Sequence, residues 1–337
     1  MPQRRIGHQD RRGFDGTMKA LLVSMPLSLG LMVLYSWKIG LVTLMFAAVS
    51  FIVLEAVSAP PANGPRSFLK SFLPNQITSS PTLVCLGDSL THGNCSSSFT
   101  PNIPRKLAEA LGMEPPSLSK IFNAPLWVVN AGQNGIGSYT IREERVQGAM
   151  NCYPDYVLLL IGTNDVRAMY KPAWAKRMVS TWELPQTPTL ENYEYNLREI
   201  LDFIQETSIN THIGVCTLPP MGENLAAPAN DWVRKANVVI EKTVNSYNQK
   251  CTVVPLYERF ESILEKKPNK QNSWSVDYFF PVAVMMNFLF HLMPGFFTWN
   301  SLSKPFGNLL LSDGLHLNDY GSDTVTEVVV EWLLANN

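Results

Sequence analysis

A serine, an aspartate and a histidine stand in two short motifs that together could form a nucleophilic active site. Ser89 lies in the Gly-Asp-Ser-Leu stretch of residues 87–90, directly after an apolar run, and Asp313 and His316 stand three positions apart near the C-terminus. A serine hydroxyl is a poor nucleophile at neutral pH unless a nearby imidazole takes its proton, and that imidazole needs a partner to fix its tautomer. These residue types predict a serine hydrolase with Ser89 as nucleophile, His316 as general base and Asp313 as its orienting acid.

Two further segments carry groups that could stabilise the negative charge of an oxyanion. Residues 130–138 read Asn-Ala-Gly-Gln-Asn-Gly-Ile-Gly-Ser, and their glycines let the backbone approach a reacting group closely. Residues 162–165 read Gly-Thr-Asn-Asp and place an amide donor, Asn164, behind another apolar run. Read alone, 162–165 is equally an ordinary turn and Ser89 equally a helix cap. The chemistry is indicated by the combination of the motifs.

Short apolar runs alternate with helical segments along the chain and indicate how these residues are positioned. The strand candidates are 82–86, 127–130, 156–161, 212–217 and 252–256. The helix candidates are 190–207, 232–248 and 323–334, the last with Asn318 as its cap. Such alternation predicts an α/β fold, a three-layer α/β/α sandwich with a central, mainly parallel sheet. Ligands of such sheets bind beyond the carboxyl ends of the strands, where the motif residues are expected.

In this order, the four motifs resemble the sequence blocks of the GDSL esterase/lipase family, also called SGNH hydrolases. The matching residues are Ser89 in the first block, Gly135 in the second with Gly132 as its alternative, Asn164 in the third, and Asp313 and His316 in the last. The resemblance covers residues 81–337. It implies an acyl-enzyme mechanism in which the N–H groups of Ser89 and Gly135 and the Asn164 side chain form the oxyanion hole. It implies no metal and no organic cofactor.

The other histidines are expected to have other roles. His92 lies three residues after Ser89, but His316 is the histidine with an acid at the spacing that the last block requires. We therefore predict that His92 is a polar residue of the first helical turn. His212 and His291 stand in apolar runs and are expected to pack inside the protein, and His8 lies in the N-terminal tail.

The N-terminal region differs from the rest of the chain and predicts a membrane anchor. Residues 1–19 form a basic tail, the predicted anchor spans residues 20–58, and its residues 20–54 are almost wholly apolar. This run is longer than the ~25 residues of a comfortable single span and longer than the apolar region of a signal peptide. It fits one tilted helix with an interfacial part, or a two-helix hairpin that turns near Lys38. The two arrangements put the enzyme on opposite sides of the membrane, and the side stays open. Residues 59–80 are rich in proline and glycine and predict a linker.

Composition excludes some partners. The formal net charge is −1, so no basic surface for nucleic acid is expected. The 5 cysteines include no Cys-x-x-Cys pair, which argues against a zinc site, and a bridge between Cys95 and Cys152 is left open. The expected partners are an ester substrate, either a small molecule or a lipid, and a membrane bound through the N-terminal segment.

An apolar insertion at residues 278–297 bears on the substrate. It is rich in phenylalanine and methionine, without a charged residue, and predicts either a lid that contacts lipid or an insertion packed on the core. The first interpretation is a membrane-anchored serine esterase that cleaves carboxylic esters, for example of a lysophospholipid. The alternatives are a carbohydrate O-acetyl esterase and a catalytically silent membrane-bound binding protein on the same fold.

Overall fold

The computed structural model describes residues 37–38, 80–93, 97–113, 125–267, 289 and 296–336 of the 337-residue chain. The predicted basic tail lies outside these residues, as do nearly all of the predicted anchor, the linker and the apolar insertion. Within the described ranges, no helix has both the length and the apolar character needed to cross a bilayer.

A five-stranded parallel sheet forms the centre of the protein. Its strands are β1 (Thr82–Gly87), β2 (Trp127–Gly132), β3 (Tyr156–Leu160), β4 (His212–Cys216) and β5 (Cys251–Val254), in the spatial order β2-β1-β3-β4-β5. From β1 the chain goes first to one side of the sheet and then to the other. The boundary between β1 and β3 is therefore the topological switch point, where parallel α/β sheets bind their ligands.

Helices and short helical turns connect the strands. They are α1 (Ser89–His92), a 3₁₀ turn (Thr100–Asn102), α2 (Ile103–Ala110), α3 (Ser138–Thr140), a π-helical turn (Ile141–Arg145), α4 (Val146–Met150), α5 (Thr163–Tyr170), α6 (Pro172–Trp182), α7 (Leu190–Thr207), α8 (Pro228–Val244), α9 (Leu256–Glu265), α10 (Trp299–Ser303), a 3₁₀ turn (Lys304–Phe306) and α11 (Asp319–Ala335). One group, α4, α5, α7 and α8, packs together, and α2, α9 and α11 pack together as another.

The core explains why the strands read as continuous apolar runs in the sequence. Every residue of β1 and β3 is buried, as expected for parallel strands that helices cover on both faces. The predicted α/β fold with a parallel sheet is confirmed.

The predicted elements need several corrections at their ends. The helix predicted at 190–207 is confirmed, and the Thr189 side chain caps it by accepting from the Asn192 N–H at 3.2 Å. The helix predicted at 232–248 instead runs from Pro228 to Val244, because a proline is well tolerated in the first turn, where its missing N–H would have no partner. The helix predicted at 323–334 begins earlier, at Asp319, directly after its predicted cap Asn318.

The observed strand ends also differ from the predicted ones by one or two residues. β1 and β2 extend to Gly87 and Gly132, whereas β3, β4 and β5 end before the predicted 161, 217 and 256. Cys152 is buried, and Cys95 lies outside the described residues, so the bridge between them that the sequence left open stays a prediction. His212 stands at the start of β4 with its ring centroid 5.6 Å from that of Tyr156, in agreement with its predicted packing role.

Candidate active site

Ser89 occupies the first helical position after β1, at the switch point of the sheet. Asp88 caps α1, since its Oδ1 accepts a hydrogen bond from the Leu90 N–H at 2.9 Å. The chain can turn this tightly because Gly87 has no side chain: a Cβ there would lie 2.3 Å from the Leu160 carbonyl oxygen of β3. As a first-turn residue, Ser89 has a backbone N–H without an acceptor inside the helix.

Asp313, His316 and Ser89 form one continuous hydrogen-bonded row. The Nε2 of His316 lies 2.8 Å from Ser89 Oγ, and its Nδ1 lies 2.9 Å from Asp313 Oδ2. The second carboxylate oxygen of Asp313 accepts the N–H groups of Leu315, at 2.9 Å, and His316, at 2.8 Å. All three side chains are buried. The aspartate is thus fixed by its own loop, and it in turn fixes the plane of the imidazole.

The acid and the base lie in a short antiparallel loop that we call the acid–base loop, residues 309–318. Leu311 and Leu317 form an isolated bridge, and the Ser312 N–H donates to the His316 carbonyl oxygen at 2.6 Å. Gly314 makes the turn with a φ of +87°, in the left-handed region that favours glycine. The loop belongs to no strand of the main sheet.

Asn164 is the second residue of α5, which follows β3, and it lies next to the turn that carries Gly135. Its side-chain Nδ2 donates to the Ile136 carbonyl oxygen at 3.0 Å, which fixes the orientation of the amide. Gly135 itself has a φ of +75°. Gly132, the alternative from the sequence, is the last residue of β2, and its N–H already donates to Asn130 Oδ1 at 3.0 Å. Gly135 is therefore the better candidate for an oxyanion donor.

His92 lies at the end of α1, and the structure gives it a different place from His316. Its backbone packs on β2, because a Cβ on Gly132 would lie 2.2 Å from the His92 nitrogen. The hydroxyl of Ser89 is held by His316.

A second carboxylate, which the sequence did not single out, supports the oxyanion side of the site. Asp165 accepts hydrogen bonds from the Ser138 hydroxyl at 2.7 Å and from the Ser138 N–H at 3.0 Å. Asn196 of α7 donates to the same hydroxyl at 3.0 Å and accepts from Arg142 at 2.7 Å. This network ties the turn after β2 to the start of α5. The signal was available in the sequence, since Asp165 directly follows Asn164.

Burial raises the pKa of Asp88, which precedes Ser89, and of Asp165, which supports the oxyanion side. Removal from water raises the pKa of Asp88 to about 7, opposed by the Leu90 N–H bond and the nearby His316. Burial likewise raises the pKa of Asp165 to about 6, although the two bonds from Ser138 favour its ionised form. Desolvation dominates in both cases.

An arginine and two tryptophans near the site were also missed by the sequence reasoning. Arg167 lies one turn after Asn164 on α5, its guanidinium carbon 4.0 Å from the centre of the Trp174 ring. Burial lowers the pKa of Arg167 to about 10, while the negative charge of Asp313 acts in the opposite direction. Trp182 approaches the oxyanion turn, with its indole nitrogen 3.6 Å from where a Cβ of Gly135 would lie.

The chemistry of this arrangement is that of acyl transfer. It combines a hydroxyl, a base that can take its proton, an acid that orients the base, and amide donors at the same edge of the sheet. Among the described residues, no three side chains of the metal-binding types converge on a common point.

The chain is similar to one protein family and to several solved structures. Residues 85–323 match the GDSL-like Lipase/Acylhydrolase family. Among solved structures, a catalytic variant of Axe2, an acetylxylan esterase from Geobacillus stearothermophilus, aligns with a TM-score of 0.50 at 15% identity, over 76% of this chain and 94% of that one. The lipase/acylhydrolase from Enterococcus faecalis aligns with a TM-score of 0.43 at 16% identity, over 76% and 96% of the two chains. No curated protein sequence matches the chain.

Proposed function

We propose a mechanism and a substrate class for this chain, which belongs to the GDSL-like lipase/acylhydrolase family and is therefore an ester-hydrolysing enzyme. The observation that carries the mechanism is the row from Ser89 through His316 to Asp313, with contacts of 2.8 and 2.9 Å. His316 Nε2 accepts the Ser89 proton as Oγ attacks the ester carbonyl. Asp313 holds Nδ1–H toward itself and stabilises the imidazolium that forms.

The negative charge of the tetrahedral intermediate develops at the carboxyl edge of the sheet. The N–H groups of Ser89 and Gly135 and the Nδ2–H of Asn164 that does not donate to Ile136 bind this oxyanion. His316 then gives its proton to the departing alcohol, which leaves an acyl group on Ser89 Oγ. Water attacks that acyl group with His316 again as base, and the acid and the free serine are released.

The test of the nucleophile is substitution of Ser89 in the full chain, purified in detergent. Wild type is expected to hydrolyse p-nitrophenyl acetate or butyrate and to react covalently with a fluorophosphonate probe. Ser89→Ala should lose both, with hydrolysis lower by about 10⁴–10⁶-fold. The matched control is Ser262→Ala, since this exposed serine of α9 bonds only within its own helix turn. Equal turnover by Ser89→Ala and wild type would refute the assignment.

We propose lipid esters, with lysophospholipids as the first class to test, as the substrates of this site. The support is sequence composition: an apolar segment of 20–58 that would hold the enzyme at a bilayer, and the phenylalanine- and methionine-rich insertion of 278–297. Flexible, apolar side chains of this kind suit acyl chains of variable length.

A carbohydrate O-acetyl ester is the second candidate, and one observation favours it. Trp182 lies beside Gly135, and a partly exposed indole next to the oxyanion turn is a surface on which a sugar ring could stack. The two candidates are separated by comparing kcat/KM for lysophosphatidylcholine with that for acetylated xylooligosaccharides. Trp182→Ala sharpens the comparison, because it should raise KM for the sugar ester and leave p-nitrophenyl acetate turnover within about 3-fold.

Membrane attachment through residues 20–58 is also part of this proposal. The run exceeds one span of about 20 residues, and the preceding tail of 1–19 carries an excess of basic residues. Protease treatment of sealed vesicles tests the attachment and its side: the catalytic region is digested from outside in one orientation and protected in the other. Extraction of the full chain by carbonate or high salt alone would contradict an integral anchor.

A further inference from the structure

The acid–base loop is held in place by a buried carboxylate that the mechanism does not use. Glu223 lies after β4, and its side chain is fully buried. One of its oxygens, Oε1, accepts the backbone N–H groups of Leu309 at 2.8 Å, Leu310 at 2.6 Å and Leu311 at 2.9 Å. The other, Oε2, lies 2.8 Å from the Leu309 nitrogen and 2.7 Å from Lys267 Nζ. One side chain thus accepts hydrogen bonds from three consecutive backbone N–H groups. These groups do not bond to any strand of the sheet.

These three residues lead directly into the catalytic pair. Leu311 is followed by Ser312 and Asp313. A second contact joins the same two segments at the turn itself, because the Gly222 N–H donates to the Gly314 carbonyl oxygen at 2.7 Å. The segment around Glu223 therefore holds the acid–base loop both before and between Asp313 and His316.

The segment that carries Glu223, residues 218–224, is held by hydrogen bonds from α8. Asn230, a fully buried residue of α8, accepts from the Met221 N–H at 2.8 Å and donates to the carbonyl oxygens of Met221 at 3.2 Å and Asn224 at 2.8 Å. Two turns further along α8, Asn237 accepts from the Leu218 N–H at 2.7 Å. Side chains of one helix thus brace the loop on both sides of Glu223.

We propose that Glu223 is a positioning residue for ester hydrolysis: it fixes the acid–base loop so that His316 Nε2 meets Ser89 Oγ. The proposal rests on the roles proposed above for Asp313 and His316. Glu223 touches none of the reacting atoms, and it acts through the backbone of 309–311. A displacement of about 1 Å at a reacting group can cost about 10²-fold in rate, so a loop that is not part of the sheet needs such an anchor.

The deciding variant is Glu223→Gln in the full chain. A glutamine keeps the size and one acceptor oxygen, but it turns a donor NH₂ toward the Leu309 N–H and the Lys267 ammonium, which are themselves donors. We expect kcat for p-nitrophenyl butyrate to fall by about 10- to 100-fold, with KM changed less than about 3-fold. Glu223→Asp keeps the charge opposite Lys267 and is expected to lose less.

Asp155→Asn is the matched control. Asp155 also takes a backbone donor, the Thr82 N–H at 2.7 Å, but at the amino end of the sheet, away from the site. It should lower the melting temperature with kcat within about 2-fold of wild type. Equal kcat losses in Glu223→Gln and Asp155→Asn at equal stability would overturn the positioning role and leave Glu223 merely structural.

A second readout does not depend on turnover. The imidazole N–H protons of His316, followed by NMR in the full chain, should shift in Glu223→Gln or in Glu223→Asp and remain in place in Asp155→Asn. Unchanged imidazole signals in both Glu223 variants would refute the positioning role. Full activity of Ser89→Ala, by contrast, would refute the proposed function while the NMR comparison still reports on the loop.

Discussion

The two halves of the site are held by different means. Ser89, Gly135 and Asn164 lie within a few residues of the carboxyl ends of β1, β2 and β3. The backbone of the sheet therefore positions this half of the site. The half with Asp313 and His316 lies in a loop outside the sheet, and side chains reach across to hold it. The difference teaches that the sheet fixes the nucleophile and the oxyanion donors, whereas long-range side-chain bonds must bring the base to them.

Among the tests of this contrast, the largest expected loss of activity comes from removing the charge of the orienting acid, Asp313. Asp313→Asn keeps the shape of the loop, but its amide can hold His316 in the wrong tautomer, and kcat is expected to fall by about 10⁴-fold. Steady-state hydrolysis of p-nitrophenyl butyrate measures the effect, and a melting curve checks that the fold is kept. A loss below about 10-fold would show that Asp313 does not orient the base.

The oxyanion side is tested by Asn164→Ala. Removal of one oxyanion donor is expected to lower kcat by about 10²–10³-fold, with a small change of KM, because the bond matters most in the transition state. Asn192→Ala is the control, since this amide bonds only Gln186 near the surface, at 2.9 Å. If both variants lost activity alike, the amide of Asn164 would have no special place in catalysis.

The pH dependence of stability tests the burial of the carboxyl groups beside the nucleophile. Because burial raises the pKa of Asp88 from 3.8 to about 7, the folded state holds this proton to higher pH than the unfolded chain. The free energy of unfolding should therefore fall as pH rises from about 4 to about 7, by about 1.4 kcal/mol for each unit of pKa difference at most.

Asp88→Asn isolates this contribution, since its Oδ1 can still cap α1. Urea unfolding gives the difference in the free energy of unfolding between the variant and wild type. This difference should shift in favour of the variant from pH 4.5 to pH 7.5, by on the order of 2–4 kcal/mol. The free energy of unfolding should still fall with pH in both proteins, because burial also raises the pKa of Asp165. A parallel pH dependence in the two proteins would mean that Asp88 is ionised over the whole range.

The smallest expected effect concerns the far end of the acid–base loop. Asn318 caps α11 by accepting from the Gly321 N–H at 2.9 Å, and it donates to the Leu309 carbonyl oxygen at 2.9 Å. Asn318→Ala should cost about 1–2 kcal/mol of unfolding free energy and leave kcat within about 3-fold. A loss of kcat as large as that of Glu223→Gln would place the control of the loop at α11 instead.

Sequence reasoning predicted residues in both halves of the site, because Ser89, Asn164, Asp313 and His316 all stand in short local motifs. The strands were found because buried parallel strands are continuous apolar runs, and the helix at 190–207 because its apolar residues recur at helical spacing behind a threonine cap. Asn318 was found as a cap for the same local reason. The fold class and the segments with Ser89 and Asn164 follow from such patterns.

The remainder depends on contacts that leave no local trace. Residues 163–170 form a helix that the sequence did not predict, and 162–165 alone could equally be a turn. The polar residues Thr163, Asn164 and Asp165 are buried at the site, so the helix shows no polar surface face there. Glu223 accepts from backbone groups 86 to 88 positions away. Every residue except proline carries the same backbone N–H, so no pattern of side chains predicts such a bond.

The close contact at Gly87 and Gly132 limits how this enzyme can be altered. A methyl group at either position would overlap backbone atoms of a neighbouring element, at 2.3 and 2.2 Å. Directed-evolution libraries aimed at new acyl or alcohol groups should therefore leave these two codons untouched. Diversity is better placed at Trp182, whose indole nitrogen borders the oxyanion turn 3.6 Å from where a Cβ of Gly135 would lie.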